Sequence, residues 1–170
     1  PMNAIEQFAR FASPEAPPMA MVTCYDAPFA ALAHEAGIDV LLVGDSVANT
    51  VLGHKRTGDI GMGEMLHHVG AVRRGAPEAC ILGDMPLGSD DGVGNALANG
   101  RALLDAGADA VKIEGPRLEE IRALSAAGIP VCGHLGLLPQ TATSLKQAGG
   151  DPASRERILR EAKDLEAAGC

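Results

Sequence analysis

Five short apolar runs in this chain each lead into residues able to do acid, base or metal chemistry. The first runs into Thr23, Tyr25 and Asp26. The second reaches Asp45 and Ser46 through Gly44, and the third reaches Asp84 through Gly83. The fourth contains Lys112 and Glu114, and the fifth reaches His134 through Gly133. Lys112 and Glu114 are two residues apart, so on a strand they share a face. A charge on an apolar strand face costs several kcal/mol unless it is paired or metal-bound. If Asp45, Asp84 and Glu114 converge, their mutual repulsion raises their pKa values unless a cation sits among them. Mg²⁺ suits such a set, because it prefers oxygen ligands and keeps waters or substrate oxygens in its shell. One Asp after one strand is ordinarily a cap. Three acids on three strands, with a lysine between them, define a candidate site.

The elements that must position these groups repeat along the chain. An Ala-rich helix stops at a glycine and a short apolar strand follows: 30–36, Gly37, 38–43; 96–106, Gly107, 108–113; 118–127, Gly128, 129–132. A looser copy joins 73–75 to 79–82. Glycine suits the position just past a helix, which often needs positive φ. The spacing predicts about five strands, at 20–24, 40–43, 79–82, 110–113 and 130–132. Their nearly continuous apolar character predicts a parallel sheet buried on both faces and covered by helices. A last helix over 152–168 ends at Gly169, one residue before the chain stops, where the rhythm predicts a sixth strand.

A βα repeat fits either an open doubly wound sheet or a closed (β/α)₈ barrel. No G-x-G-x-x-G follows the first strand and no G-x-x-x-x-G-K-[ST] is present, which disfavours dinucleotide and P-loop sites. In a barrel the ends of all the strands lie on one rim, so Asp45, Asp84, Lys112, Glu114 and His134 would meet there.

Composition narrows the function classes. The 170 residues amount to one domain, with 46% hydrophobic but only 2% aromatic residues, so Ala, Leu, Val and Ile must fill the core. A net charge of −8 argues against a nucleic-acid surface. Cys24, Cys80, Cys132 and Cys170 form no C-x-x-C pair, and reduced packing cysteines of a cytosolic protein are expected. No secretory leader is evident, and no apolar run approaches a membrane span. His34, His67 and His68 fall in predicted helices. His67 and His68 are adjacent, hence divergent and poor as a metal pair. The Asp90–Asp91 pair is expected in a solvated loop, and Met62, Met65 and Met85 are expected to pack.

Many runs resemble the ketopantoate hydroxymethyltransferase family in order and spacing, from about Phe8 to Gly169. They are MVTCYDAPFA (21–30), AGIDVLLVGDS (36–46), VLGH (51–54), His68, AVRRGAP (71–77), DMPLGS (84–89), AVKIEG (110–115) and GHLGLLPQ (133–140). The resemblance implies a (β/α)₈ TIM barrel of the phosphoenolpyruvate mutase/isocitrate lyase superfamily. Residues 1–170 would then be a single incomplete barrel domain, truncated after about five βα units. It also implies transfer of a hydroxymethyl group from 5,10-methylenetetrahydrofolate to 3-methyl-2-oxobutanoate, giving 2-dehydropantoate through a Mg²⁺-stabilised enolate. Cytoplasmic homodecamers, taking part in pantothenate and coenzyme A synthesis, are expected with it. Carried over by position, Asp45, Asp84 and Glu114 match the metal-site acids, with Asp45 and Asp84 most direct and Glu114 acting through water. Ser46 and Lys112 match residues that hold the keto acid's carboxylate. His134 matches a histidine near the substrate, and Asp45 and Asp84 also line that substrate site.

The match departs from the family in three places. The family's general base, a glutamate ending the sixth strand, has its position beyond Cys170, so no catalytic residue is assigned within the chain. Residues 144–150 read SLKQAGG where the family has GGFKVQG or close to it. Residues 55–61 read KRTGDIG where the family has DSTLPVT. Two other functions stay open on these grounds: a related metal-dependent 2-oxo acid lyase or mutase, and an inactive paralogue serving as an assembly subunit. An incomplete barrel is also expected to leave open edges and an exposed apolar interior.

Overall fold

A computed structural model describes residues 4–11, 15–142 and 146–170. Five parallel strands lie side by side in sequence order: β1 (Met21–Thr23), β2 (Val40–Val43), β3 (Cys80–Asp84), β4 (Ala110–Glu114) and β5 (Val131–His134). Helices α1 (Ala4–Ala9), α2 (Ala27–Glu35), α3 (Val47–Thr50), α4 (Met62–Gly75), α5 (Val93–Ala106), α6 (Leu118–Ala126) and α7 (Pro152–Ala168) fill the connections. Sequential neighbours in a parallel sheet, each joined by a helical crossover, make up the wall of a (β/α) barrel.

Local chemistry explains the boundaries. Asp26 caps α2 by accepting from the Phe29 N–H at 2.8 Å, and Asp151 caps α7 by accepting from Ser154 N–H at 2.9 Å. Pro28 and Pro152 sit in the first turns, where a missing N–H costs nothing. Gly107 (φ 117°) and Gly169 (φ 107°) close α5 and α7 in the left-handed region, as the glycine stops predict. The structure extends the strands β3, β4 and β5 beyond the predicted ends, to Asp84, Glu114 and His134. The backbone ladder carries them on, with the Met85 N–H donating to the Lys112 carbonyl and the Gly115 N–H to the His134 carbonyl, each at 2.9 Å. Helix α4 is a full 14 residues and contains His67 and His68 as expected, while the repeat itself marked only its end, at 73–75. Its N-terminal half is Gly- and His-containing and lacks the Ala-rich pattern of the other helices.

Each strand alternates between two environments. Outward residues Leu41, Val43, Ile81, Val111 and Ile113 pack under the helices with Met65, Val69, Val72, Leu103, Ile121 and Leu124 in the main core. Inward residues Val40, Leu82 and Ala110 form a smaller cluster against Phe8, Met19, Leu42, Cys80 and Cys132. The expected burial on both faces holds for β2, β3 and most of β4. Every residue of β5 is only half-buried, and β1 is half-buried or exposed, because both strands lie at the sheet's edges. All four cysteines are free thiols, with Cys24 buried and Cys170 exposed. Among the described residues, no helix is long and apolar enough to cross a membrane.

The opposite end of the sheet is tied by Arg73. Its guanidinium donates to the carbonyls of Gly107 (2.8 Å), Pro77 (2.8 Å) and Ala79 (2.9 Å) and pairs with Asp109 at 2.5 Å. Four bonds to a planar fork fix α4 against the starts of β3 and β4.

Candidate active site

The inward positions at the C-terminal strand ends carry the chemistry. Register alone sets two pairs opposite each other: Asp84 beside Lys112 on β3 and β4, and Glu114 beside His134 on β4 and β5. The first pair closes into an ion pair, with Lys112 Nζ 2.7 Å from Asp84 Oδ1. In the second, His134 Nδ1 lies 3.5 Å from Glu114 Oε2, beyond a good hydrogen bond.

Asp45 follows β2 and adjoins Asp84, its backbone N–H donating to Asp84 Oδ2 at 3.2 Å. Both aspartates are buried, at 6% and 3% exposure. Loss of hydration raises the carboxyl pKa of each above the ordinary value. Lys112 opposes the shift at both. Glu114 adds to it at Asp45, and Asp45 adds to it at Asp84. Ser46, at the start of α3, shares a 2.8 Å hydrogen bond with the Tyr25 hydroxyl. Tyr25 is held in turn through its backbone, since its carbonyl lies 2.8 Å from His68 Nδ1.

One residue with no assigned role in the sequence joins these parts. Gln140, in the loop after β5, donates from Nε2 to Asp45 Oδ2 at 2.8 Å and to the Met85 carbonyl at 2.9 Å. Its backbone N–H donates to Glu114 Oε1 at 3.0 Å. It ends the GHLGLLPQ run, which was its only mark in the sequence.

Three carboxylates thus share a rim with one ammonium, an excess of negative charge that a divalent cation would balance. Asp84 is engaged on both oxygens, Oδ1 by Lys112 Nζ and Oδ2 by the Asp45 N–H, and each oxygen keeps a further lone pair. Among the described residues, no group of three or more His, Cys, Asp or Glu could hold a metal ion together. Two adjoining aspartates nonetheless fit Mg²⁺, which is usually bound through one or two carboxylates with the rest of its shell from water or substrate. Glu114 is turned toward Gln140 and His134 rather than toward Asp84.

Other expectations meet the structure differently. Asp90 is not solvated: it is 4% exposed and lies 3.3 Å from Arg117 Nε, while exposed Asp91 takes Arg117 Nη2 at 2.7 Å. Arg117, from the loop after β4, covers the turn that follows β3. His67 and His68 stand edge-on with ring centres 5.2 Å apart, and His68 is spent on Tyr25. Met65 and Met85 are buried and Met62 packs on the core. Within the divergent 144–150 segment, Ser144 and Leu145 lie outside the described residues. A cavity of about 500 Å³ beside β5 and one of about 470 Å³ near Arg73 and Asp109 are lined by none of the site acids.

The fold gives the class, a (β/α) barrel, and the chain shares that fold with members of the phosphoenolpyruvate mutase/isocitrate lyase superfamily. It superposes on 2,3-dimethylmalate lyase, a member of that superfamily, with TM-score 0.68 and 16% identity over 97% of this chain and 58% of that one. It likewise matches phosphonopyruvate hydrolase in complex with oxalate and Mg²⁺, with TM-score 0.67 and 16% identity over 89% of this chain and 55% of that one. Within that class, the chain belongs to the ketopantoate hydroxymethyltransferase family, whose model matches residues 4–170. The 3-methyl-2-oxobutanoate hydroxymethyltransferase of Desulfotalea psychrophila is 48% identical over 158 residues, 89% of this chain and 57% of that protein. The chain therefore spans a little under three-fifths of that relative's length.

Proposed function

We propose that the protein carrying this chain transfers a hydroxymethyl group from 5,10-methylenetetrahydrofolate to 3-methyl-2-oxobutanoate, giving 2-dehydropantoate. The observation that carries the reading is the buried Asp45–Asp84–Lys112 constellation at the strand ends of a chain belonging to this family. Asp45 and Asp84 would hold Mg²⁺, with Glu114 acting through a water. The ion, when bound, supplies Lewis-acid stabilisation of the negative charge that develops on the keto acid's oxygen.

The chain's own groups bind and orient. Lys112 has three N–H donors and Asp84 engages it on one side, which leaves donors for a substrate carboxylate. Tyr25 and Ser46 share one hydrogen bond, and whichever hydroxyl donates in it, the other keeps a proton to give. Together they fix the carboxylate, which sets the direction of the methine carbon. His134, beside Glu114, borders the same space. A cytoplasmic homodecamer is part of the same proposal, supported by family membership alone.

The test is exchange of the methine proton of 3-methyl-2-oxobutanoate in D₂O, followed by proton NMR with the full-length protein. Mg²⁺-dependent exchange without folate, suppressed in Asp45→Asn, is the expected result. Absence of exchange in the Mg²⁺-loaded wild type rejects the reading.

A further inference from the structure

Gln140 does more than occupy the loop after β5. Its Nε2 faces two acceptors, Asp45 Oδ2 and the Met85 carbonyl, so the amide nitrogen must point into the site and both its protons are committed. Asp45 follows β2, and Met85 is the residue next to Asp84 on β3. A single carboxamide therefore spans the ends of the two strands that carry the two buried aspartates. A second tie, from Asp45 N–H to Asp84 Oδ2, runs directly between them. The Gln140 backbone N–H, anchored on Glu114 Oε1, keeps the side chain from withdrawing.

Two consequences follow. The Asp45 carboxylate cannot rotate freely, and Oδ1 is left as its open oxygen. The separation of the two aspartates is also fixed from outside their own strands. Small Mg²⁺ demands near-ideal octahedral geometry from single oxygens, whereas larger Ca²⁺ accepts both oxygens of a carboxylate in a loose shell. Selection between them rests on site size, ligand number and rigidity.

We propose that Gln140 is a positioning residue that holds Asp45 as a one-oxygen ligand at fixed distance from Asp84, and so sets the preference of the site for a small divalent cation over a larger one. The inference rests on the reading that these aspartates hold a cation. It concerns a residue that contacts the ligands rather than the ion.

The experiment is calorimetric titration of the substrate-free, full-length protein with MgCl₂ alone and with CaCl₂ alone. Gln140→Met keeps the side-chain volume and the backbone bond to Glu114 but removes both side-chain donors. Its ratio of Mg²⁺ to Ca²⁺ affinity is expected to fall about tenfold, the scale on which groups behind metal ligands act, with most of the loss on the Mg²⁺ side. Gln140→Asn, an amide too short to span both acceptors, is expected to shift the ratio the same way, and it carries the test if the Met variant does not fold. An unchanged ratio overturns the proposal even if both affinities drop together, since a general loosening of the site predicts that result. Wild-type protein that binds neither ion, or binds them equally well after Asp45→Asn, overturns the cation reading as well. That outcome is distinct from intact, Asp45-dependent binding with an indifferent Gln140.

Discussion

Replacing Lys112 with Met tests whether the buried aspartates depend on one ammonium. Lys112 Nζ is 2.7 Å from Asp84 Oδ1, with side-chain exposures of 16% and 4%. At an effective dielectric near 20, a pair at that distance has a gross attraction of about 6 kcal/mol. Part of this offsets the cost of desolvating both ions. The measurable quantity is the penalty for stranding Asp84, about 3–5 kcal/mol for a buried pair broken on one side. For a domain of this size that is a drop in thermal midpoint of roughly 10 °C. The sign of the pH dependence is fixed by burial. The Asp84 pKa is already raised by loss of hydration, and Lys112 is the main group pulling it back. Without Lys112 it rises further, so the folded state takes up a proton more readily than the unfolded state. The unfolded state is common to both proteins, so the deficit relative to wild type is absent in acid, grows as pH rises through the already raised Asp84 pKa of the wild type, and is complete above the still higher one of the variant. Thermal melts of the full-length variant from pH 4 to pH 8 measure it. Adding Asp84→Asn removes the stranded charge, keeps an acceptor for the Asp45 N–H, and is expected to recover most of the loss. A deficit below about 1 kcal/mol, one flat across pH, or no recovery in the double variant would refute the reasoning.

Three further outcomes follow from the packing. Arg73→Met removes the guanidinium from the carbonyls of Gly107, Pro77 and Ala79 and breaks the ion pair with Asp109, which keeps the Ile81 N–H, and is expected to cost about 2–4 kcal/mol in melts. Mg²⁺ affinity should be unchanged, because the tie lies at the far end of the strands. In Gly75→Ala, the new Cβ would stand 2.1 Å from the Ala27 carbonyl oxygen, a backbone atom that cannot swing aside. A net loss of about 1–3 kcal/mol by denaturant titration is expected, despite the roughly 1 kcal/mol that alanine gains over glycine in a helix. Tyr25→Phe removes the hydroxyl bonded to Ser46 and is expected to raise the KM for the keto acid about fivefold, as one hydrogen bond of about 1 kcal/mol would. Steady-state kinetics with a nearly unchanged kcat would place the effect in binding.

What the sequence determined alone is what near neighbours along the chain decide. Helix α7 starts at Pro152 behind the Asp151 cap and ends at Gly169, so both its boundaries were legible. Lys112 and Glu114 had to share a face, because side chains alternate along a strand whatever lies beside it. Asp45, Asp84 and His134 followed apolar runs, which marked them as strand-end residues before any neighbour was known. Tertiary structure decided the partners. That Asp84 meets Lys112 while Glu114 meets His134 follows from strand register, which no single strand encodes. Asp90 is buried beside Arg117, a partner 27 positions away that its own segment does not announce. Gln140 reaches Asp45 across 95 residues, and its place at the end of the GHLGLLPQ run marks it without revealing which groups it faces. Such contacts are legible only after the sheet has brought distant segments to one rim, because a polar side chain takes its role from the groups it faces there.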